Sequence, residues 1–251
     1  MSSRDTRRKF GQNYLSDPAI IFEMGQSIGP KKNNNFLEIG PGMGALTDTI
    51  NLEDINIKAI DIDSKNIEYL SKKYMGPANF EFINDDILKA PLGFLENESY
   101  RIVGNLPYNI STQIILMFTD WCEHIQDMHF LVQREVAEKI TGKVGTKNWG
   151  KLSIKLSAFF DTQILFDVPP EAFDIKPKVT SSFIRISPKR SNRLDLSFKK
   201  DLYKVVDWSF ISRRKNIRNN LKKRDVNWDL LDINNNPVSY THLTLPTNRE
   251  V

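Results

Sequence analysis

The 251-residue sequence has one cysteine, three histidines and no apolar run longer than a few residues, "IILMF" being typical. Each shortage excludes something. A lone Cys122 rules out an intrachain disulfide and any cysteine-based zinc site. His124, His129 and His242 are scattered, so no His-rich metal centre is expected and no metal is assigned. Cys122, in "TDWCEH", reads as a part-buried helix residue, because no basic neighbour is placed to activate its thiol. The apolar runs are too short to cross a bilayer. "MSSRDTRRKF" is basic with no apolar segment behind it, which excludes a secretory signal from the reading. These absences point to a reducing compartment, most simply the cytoplasm. Charge of one sign is also scarce in the sum: the formal net charge of +4 permits nucleic acid without demanding it.

What the chain does contain is a rhythm. From residue 35 to about 187, β-like runs alternate with helical patterns: "NFLEI", "IKAID", "FEFIN", "YRIVG" and "DMHFLVQ" lead into "ALTDTINL", "SKNIEYLSKKY", "DDILKA", "ISTQIILMFTDW" and "REVAEKITG". Such alternation predicts an α/β fold with a doubly wound, mostly parallel sheet. "TQILFDV" and "SSFIRIS" are joined by a proline-rich turn and predict an antiparallel hairpin at one edge. After Pro188 the sequence becomes basic and helical, with Phe210, Ile217 and Leu221 on one face and Arg214, Arg218 and Lys222 on another. Residues 1–187 therefore read as one domain and 188–237 as a small helical appendage. Residues 238–251 lack helical period and resemble a translated sequencing adapter. They are expected to be a non-native tail that leaves the appendage truncated.

"FLEIGPGMGALT" is a strand, a glycine turn and a helix start. Gly40, Gly42 and Gly44 allow a tight turn and close backbone approach to a ligand, and Asp61 ends the next strand where a ribose diol is gripped. This pattern fits nicotinamide or flavin dinucleotides as well as S-adenosyl-L-methionine. The G-x-G-x-G spacing leans away from the dinucleotides, although Ala45 blurs it. Asp86 follows the third strand, where an acceptor suits an adenine amino group; equally, Asp85 or Asp86 could cap the segment "ILKA".

The fourth strand leaves through "GNLPYN". Asn105, Pro107 and Tyr108 include no strong acid, base or nucleophile. An exocyclic adenine amine needs none. Two acceptors on its N–H groups, the Asn105 amide oxygen and the Pro107 carbonyl, would free its delocalised lone pair, while Tyr108 stacks on the base. Alignment with an activated methyl group then supplies most of the rate.

At this point the residues resemble a family. "KFGQNYL", "LEIGPGMGALT", "GNLPYNIST", "LVQREVAEKI", "VPPEAF", "PKVTSSFIR" and "RRKNIRNNL" occur in order and are similar to blocks of the small-subunit ribosomal RNA adenine dimethyltransferases, the KsgA type. The resemblance spans residues 4 to 236. It implies a Rossmann-like class I methyltransferase sheet with a small C-terminal helical domain. It also implies S-adenosyl-L-methionine as cofactor and transfer of two methyl groups to each of two adjacent adenines near the 3′ end of 16S rRNA. The partner would be that RNA or a 30S assembly intermediate, and the enzyme a monomer. By the same resemblance Asn13, Leu15, Gly40, Asp61, Asp86 and Asn105 contact the cofactor, and Phe173 stacks on the adenine opposite Tyr108. The chain departs from the pattern in "NYL" for the commoner "NFL", in Ile175 and Lys176 where prolines are frequent, and in Asp61 for Glu.

Two cationic clusters suit RNA phosphates: Arg4, Arg7, Arg8 and Lys9 before the cofactor segment, and Arg213, Arg214, Lys215, Arg218, Lys222, Lys223 and Arg224 in the appendage. The target base is expected to be extruded from its stack. His129 is assigned no role. Three rivals are disfavoured: the large-subunit enzyme of macrolide resistance by the block "RRKNIRNNL", a non-catalytic nucleic-acid-binding relative by the intact "GPGMG", Asp61, Asp86 and "NLPY", and a nicotinamide dehydrogenase by the lack of a hydride-site acid or base.

Overall fold

The computed structural model describes residues 13–76, 79–191, 193–212, 215 and 217–224. Its strands are β1 (Asn35–Ile39), β2 (Asn56–Asp61), β3 (Phe80–Asn84), β4 (Tyr100–Asn105), β5 (Ile125–Gln133), β6 (Phe160–Val168) and β7 (Ser181–Pro188). They form one seven-stranded sheet in the order β3-β2-β1-β4-β5-β7-β6. The first five run parallel; β7 is antiparallel to β5, and β6 to β7. The expected edge hairpin is therefore present, with β7 inserted next to β5 and β6 on the outside.

Central strands are buried on both faces, which is why they read as nearly continuous apolar runs. The period of two sorts β1 cleanly. Leu37 and Ile39 join one core with Ile60, Ile102, Phe118 and Phe130, while Phe36 joins the other with Ile57, Val103, Leu131 and Phe183. Glu38 falls on the second face and is buried there.

Helix α1 (Pro18–Ile28) starts where the Asp17 carboxylate accepts the Ala19 and Ile20 N–H groups, with Pro18 preset for the first turn, and stops at left-handed Gly29. Helices α2 (Ala45–Ile50) and α3 (Ser64–Lys73) follow β1 and β2. Helix α4 (Ser111–Met117) follows β4, α5 (Arg134–Ile140) follows β5, and α6 (Lys151–Ser157) precedes β6. The stretch "DDILKA" differs from its helical expectation. It closes a single turn, with Lys89 and Ala90 N–H groups donating to the Asp86 carbonyl, because Pro91 prevents continuation.

Beyond Pro188, α7 (Lys199–Ser209) and α8 (Ile217–Leu221) are separated by a break, so the single face expected to run through Phe210, Ile217 and Leu221 is interrupted. Phe210 caps α7 instead of continuing it. Leu194, Leu196, Leu202 and Tyr203 pack against the first core of the sheet, and Lys155 of α6 grips Asp207 of α7 with both oxygens at 2.9 Å. None of the helices among the described residues is long and apolar enough to cross a membrane.

Candidate active site

The chain winds from β1 outward to β3, then returns to β4 on the other side of β1. A crevice opens at that reversal, outside the carboxyl ends of the strands, the usual ligand position in such sheets. It encloses about 730 Å³ of solvent-open space, bounded by Asn13 and Tyr14, the Gly40–Gly42 turn, Asp61, Asp85 and Asp86, and Asn105 to Tyr108. Gly42 carries φ +56°, and a Cβ there would meet the Tyr14 ring at 2.8 Å, so this turn tolerates no side chain. Gly104 is constrained from behind: its Cβ would lie 2.5 Å from the Ile39 carbonyl, which is how β4 sets Asn105 close beside the glycine turn.

Asn105 Nδ2 donates to the Asn13 carbonyl at 2.7 Å. A carbonyl can only accept, so this contact fixes the amide orientation and turns Oδ1 away as an acceptor with no partner among the described residues. The Pro107 carbonyl is less free than expected, since it accepts the Ile110 N–H at 3.2 Å and keeps one lone pair. The preceding carbonyl, Leu106, accepts no hydrogen bond from a described residue. Tyr108 lines the crevice with its hydroxyl 2.7 Å from Ser181 Oγ, and burial pushes its phenol above the ordinary value.

The expected stacking partner Phe173 is not brought here. It is 3% exposed in the second core, bridged in antiparallel fashion to Leu15, and its ring is occupied by protein packing. Leu15 accordingly packs on that core and lines a smaller, adjoining space of about 430 Å³ with Glu38, Gly40, Gly42 and Asn105. The segment carrying Asn13 to Ser16 is clasped in place: Tyr14 N–H reaches Asp174 Oδ1 at 3.1 Å, Asp174 N–H returns to the Tyr14 carbonyl at 2.9 Å, and Ser16 N–H donates to Ala172.

Asp61 is 4% exposed and held by three donors: Asp63 N–H to Oδ1 at 2.9 Å, and Asn66 Nδ2 and Gly42 N–H to Oδ2 at 2.9 and 3.3 Å. Burial raises its carboxyl, against these donors. Oδ1 retains lone-pair capacity for a hydroxyl in the crevice. Asp86 caps locally and also stands at the crevice. Its Oδ1 accepts Leu88 N–H at 3.0 Å in a local turn, while the residue borders the crevice together with Ile62 and Ile87. Sequence reasoning passed over Glu38, whose carboxylate accepts the Thr47 hydroxyl at 2.7 Å and which burial pushes up to about 7. The signal was available: an acid inside the apolar run "NFLEI". Asn66 and Tyr14 were likewise missed.

Of the expected RNA-binding residues, Arg218 and Lys222 are exposed on and beside α8. Arg7, Arg8, Lys9, Arg213 and Arg214 lie outside the described residues, as do Arg4 and the tail 238–251. Arg224 stacks on Trp208 at 4.3 Å. Among the described residues no group of three or more His, Cys, Asp or Glu side chains could hold a metal ion.

Residues 3–239 match the ribosomal RNA adenine dimethylase family. The chain belongs to that family. Among curated relatives, ribosomal RNA small subunit methyltransferase A of Saccharophagus degradans is 39% identical over 237 residues, covering 93% of this chain and 88% of the relative. The protein of the same name from Legionella pneumophila is 41% identical over 218 residues, covering 86% and 84%. Among solved structures, a dimethyladenosine transferase from Plasmodium falciparum superposes with TM-score 0.73 at 25% identity, covering 94% of this chain and 84% of that one. The 23S rRNA methyltransferase ErmE gives 0.67 at 27% identity, covering 84% of each. As an adenine dimethylase family member, this chain has the class I methyltransferase fold, and its crevice lies at the sheet's reversal point.

Proposed function

We propose that this dimethylase transfers methyl groups from S-adenosyl-L-methionine to the exocyclic amines of two adjacent adenines near the 3′ end of small-subunit rRNA, giving N6,N6-dimethyladenosines. The observation that carries the reading is the Asn105 amide, tied down through its nitrogen and presenting only an acceptor to the crevice. The crevice fits the cofactor: Asp61 keeps acceptor capacity for a ribose hydroxyl, Ile62 and Ile87 offer apolar faces, and the Gly40 backbone leaves room for close approach. Glu38, beside the glycine turn, would face a cationic group.

When bound, the cofactor supplies an activated methyl group on a sulfonium sulfur. The chain's own residues do the rest by positioning. Asn105 Oδ1 and a carbonyl of the Leu106–Pro107 turn accept the two N–H groups of the amine and draw its lone pair out of conjugation. Tyr108, anchored to Ser181, fixes the plane of the base. After transfer the nitrogen sheds its proton to water. No side chain in the crevice has to act as a strong base.

The curated relatives carry the small-subunit name at 39% and 41% identity, which favours that target over the large-subunit one. RNA docking in this reading uses Arg218, Lys222 and the two basic stretches outside the described residues, and the chain acts as a monomer in the cytoplasm on a 30S assembly intermediate. The boundary at 187/188, separating a methyltransferase domain from a small helical one, belongs to the same reading. The test is product mass analysis. The protein and S-adenosyl-L-methionine are incubated with unmodified small subunits, and separately with naked large-subunit RNA, before digestion to nucleosides. Dimethyladenosine from the small subunit alone is expected; product from large-subunit RNA alone would reassign the target.

A further inference from the structure

Tyr14, Asn66 and Asp61 lie on one hydrogen-bonded line. The Tyr14 hydroxyl donates to Asn66 Oδ1 at 3.0 Å, and Asn66 Nδ2 donates to Asp61 Oδ2 at 2.9 Å, where the Gly42 N–H also lands. The direction of this line is fixed by chemistry. An ionised carboxylate only accepts, so the Asn66 nitrogen must face Asp61; its oxygen then faces Tyr14, whose hydroxyl has to donate. Asn66 is 3% exposed, so neither end of its amide can turn to water for a substitute partner. The Tyr14 ring meanwhile lies over Gly42, and the residue borders both the main crevice and the adjoining space.

From this geometry, and resting on the cofactor reading above, we propose that Tyr14 and Asn66 are positioning residues for the cofactor. They orient the Asp61 carboxylate for a ribose diol and tie its orientation to the N-terminal segment. Asn66 holds Oδ2, which leaves Oδ1, bonded once by Asp63 N–H, as the oxygen turned to the ligand. Tyr14 holds Asn66. The same segment is pinned to Asn105 through the Asn13 carbonyl, so its placement is shared between the acid that grips the cofactor and the amide that grips the target amine.

The inference predicts that the two residues act as a unit. A hydroxyl removed from Tyr14 leaves Asn66 Oδ1 orphaned, whereas the pair replaced together by apolar side chains leaves nothing orphaned between them. The test is a double-mutant cycle read by calorimetric binding of S-adenosylhomocysteine to the full chain, with melting temperatures as a check on folding. Tyr14→Phe, which keeps the ring, should weaken binding about three- to tenfold, the worth of one hydrogen bond. Asn66→Leu should weaken it further, and adding Tyr14→Phe to Asn66→Leu should restore part of the loss instead of compounding it. If Asn66→Leu does not fold, Asn66→Ser takes its place in the cycle. A second readout is the Asp63 amide proton resonance, which reports Asp61 Oδ1 and should move in Tyr14→Phe. Unchanged affinity in Tyr14→Phe, or losses that simply multiply, would overturn the inference alone. Absence of binding by the unaltered chain would overturn the cofactor reading and this inference with it.

Discussion

At the scale of single residues, Asn105 owes its role to what holds it. Its nitrogen is spent on Asn13, so Asn105→Ala removes an acceptor from the crevice and leaves the Asn13 carbonyl without its partner. Methyl transfer should fall about a hundredfold or more, the cost of a misplaced reacting group, while the fold survives; single-turnover rates on small subunits would show it. Glu38 makes a pH prediction. In the folded protein it keeps its proton up to about 7, against 4.5 when solvated. A cationic ligand group beside it favours the ionised form, so cofactor affinity should rise with pH and level off above 7, with a slope of up to about tenfold per unit below. Calorimetry across pH 6 to 8 checks this, and Glu38→Gln should flatten the profile. That Asn105, Asp61 and the glycine turn would meet at one crevice was legible because each sits in a short local motif. Phe173 was not, because its burial depends on a bridge to Leu15 from the far end of the chain. Asn66 was hidden for a similar reason: an amide in an ordinary amphipathic helix gains meaning only from what faces it.

At the scale of elements, β5 carries a buried weakness. His129 is 1% exposed, neither ring nitrogen has a hydrogen-bond partner among the described residues, and burial lowers its pKa to about 4. Asp127, 3.7 Å from Nδ1, pulls the other way, but its carboxylate is already engaged by Arg101 at 2.8 and 2.9 Å, so burial wins. The unfolded chain binds this proton near 6.5 and the folded one only near 4, so stability from this group is complete above 6.5 and is lost as pH falls toward 4. The loss is at most about 3 kcal/mol. Glu38 acts with opposite sign, its contribution being present below 4.5 and lost as pH rises to about 7. His129→Leu should therefore leave a protein whose denaturant midpoint no longer drops with acid in this range, measured by urea titration at several pH values. The mostly parallel sheet and its edge hairpin were readable from alternation and turn residues, while the strand order came only with the structure. Helices α1 and α6 were not anticipated, although "SDPAIIF" carries a cap and a first-turn proline; α6 starts at Gly150, which has no side chain to announce it, and Ser153 Oγ accepts the Gly150 N–H instead. "DDILKA" looked helical by composition, and Pro91 decided otherwise.

At the scale of the whole molecule, the charge surplus is small and its placement matters. Lys222 stands exposed at the end of α8, beside a helix anchored through Asn220 to the Ser209 and Ser212 carbonyls at 2.8 and 3.0 Å. Lys222→Ala should weaken rRNA binding regardless of local sequence and reduce the salt slope of log affinity by about 0.7–0.9, the signature of one lost phosphate contact. Filter binding from low to moderate salt would measure it, with cofactor affinity unaffected.

The clasp between Tyr14 and Asp174 also sets an order in time. The two residues are 160 positions apart, so the first wall of the crevice leaves the translating ribosome long before its fastening exists. At ordinary synthesis rates of about 5–20 residues per second, that interval is roughly ten to thirty seconds. Throughout it the nascent chain can assemble β1 to β5, but the segment that carries Asn13 lacks its Asp174 fastening. The dimethylase is thus built with one wall of its crevice unfastened until the segment between the last two strands of its sheet emerges.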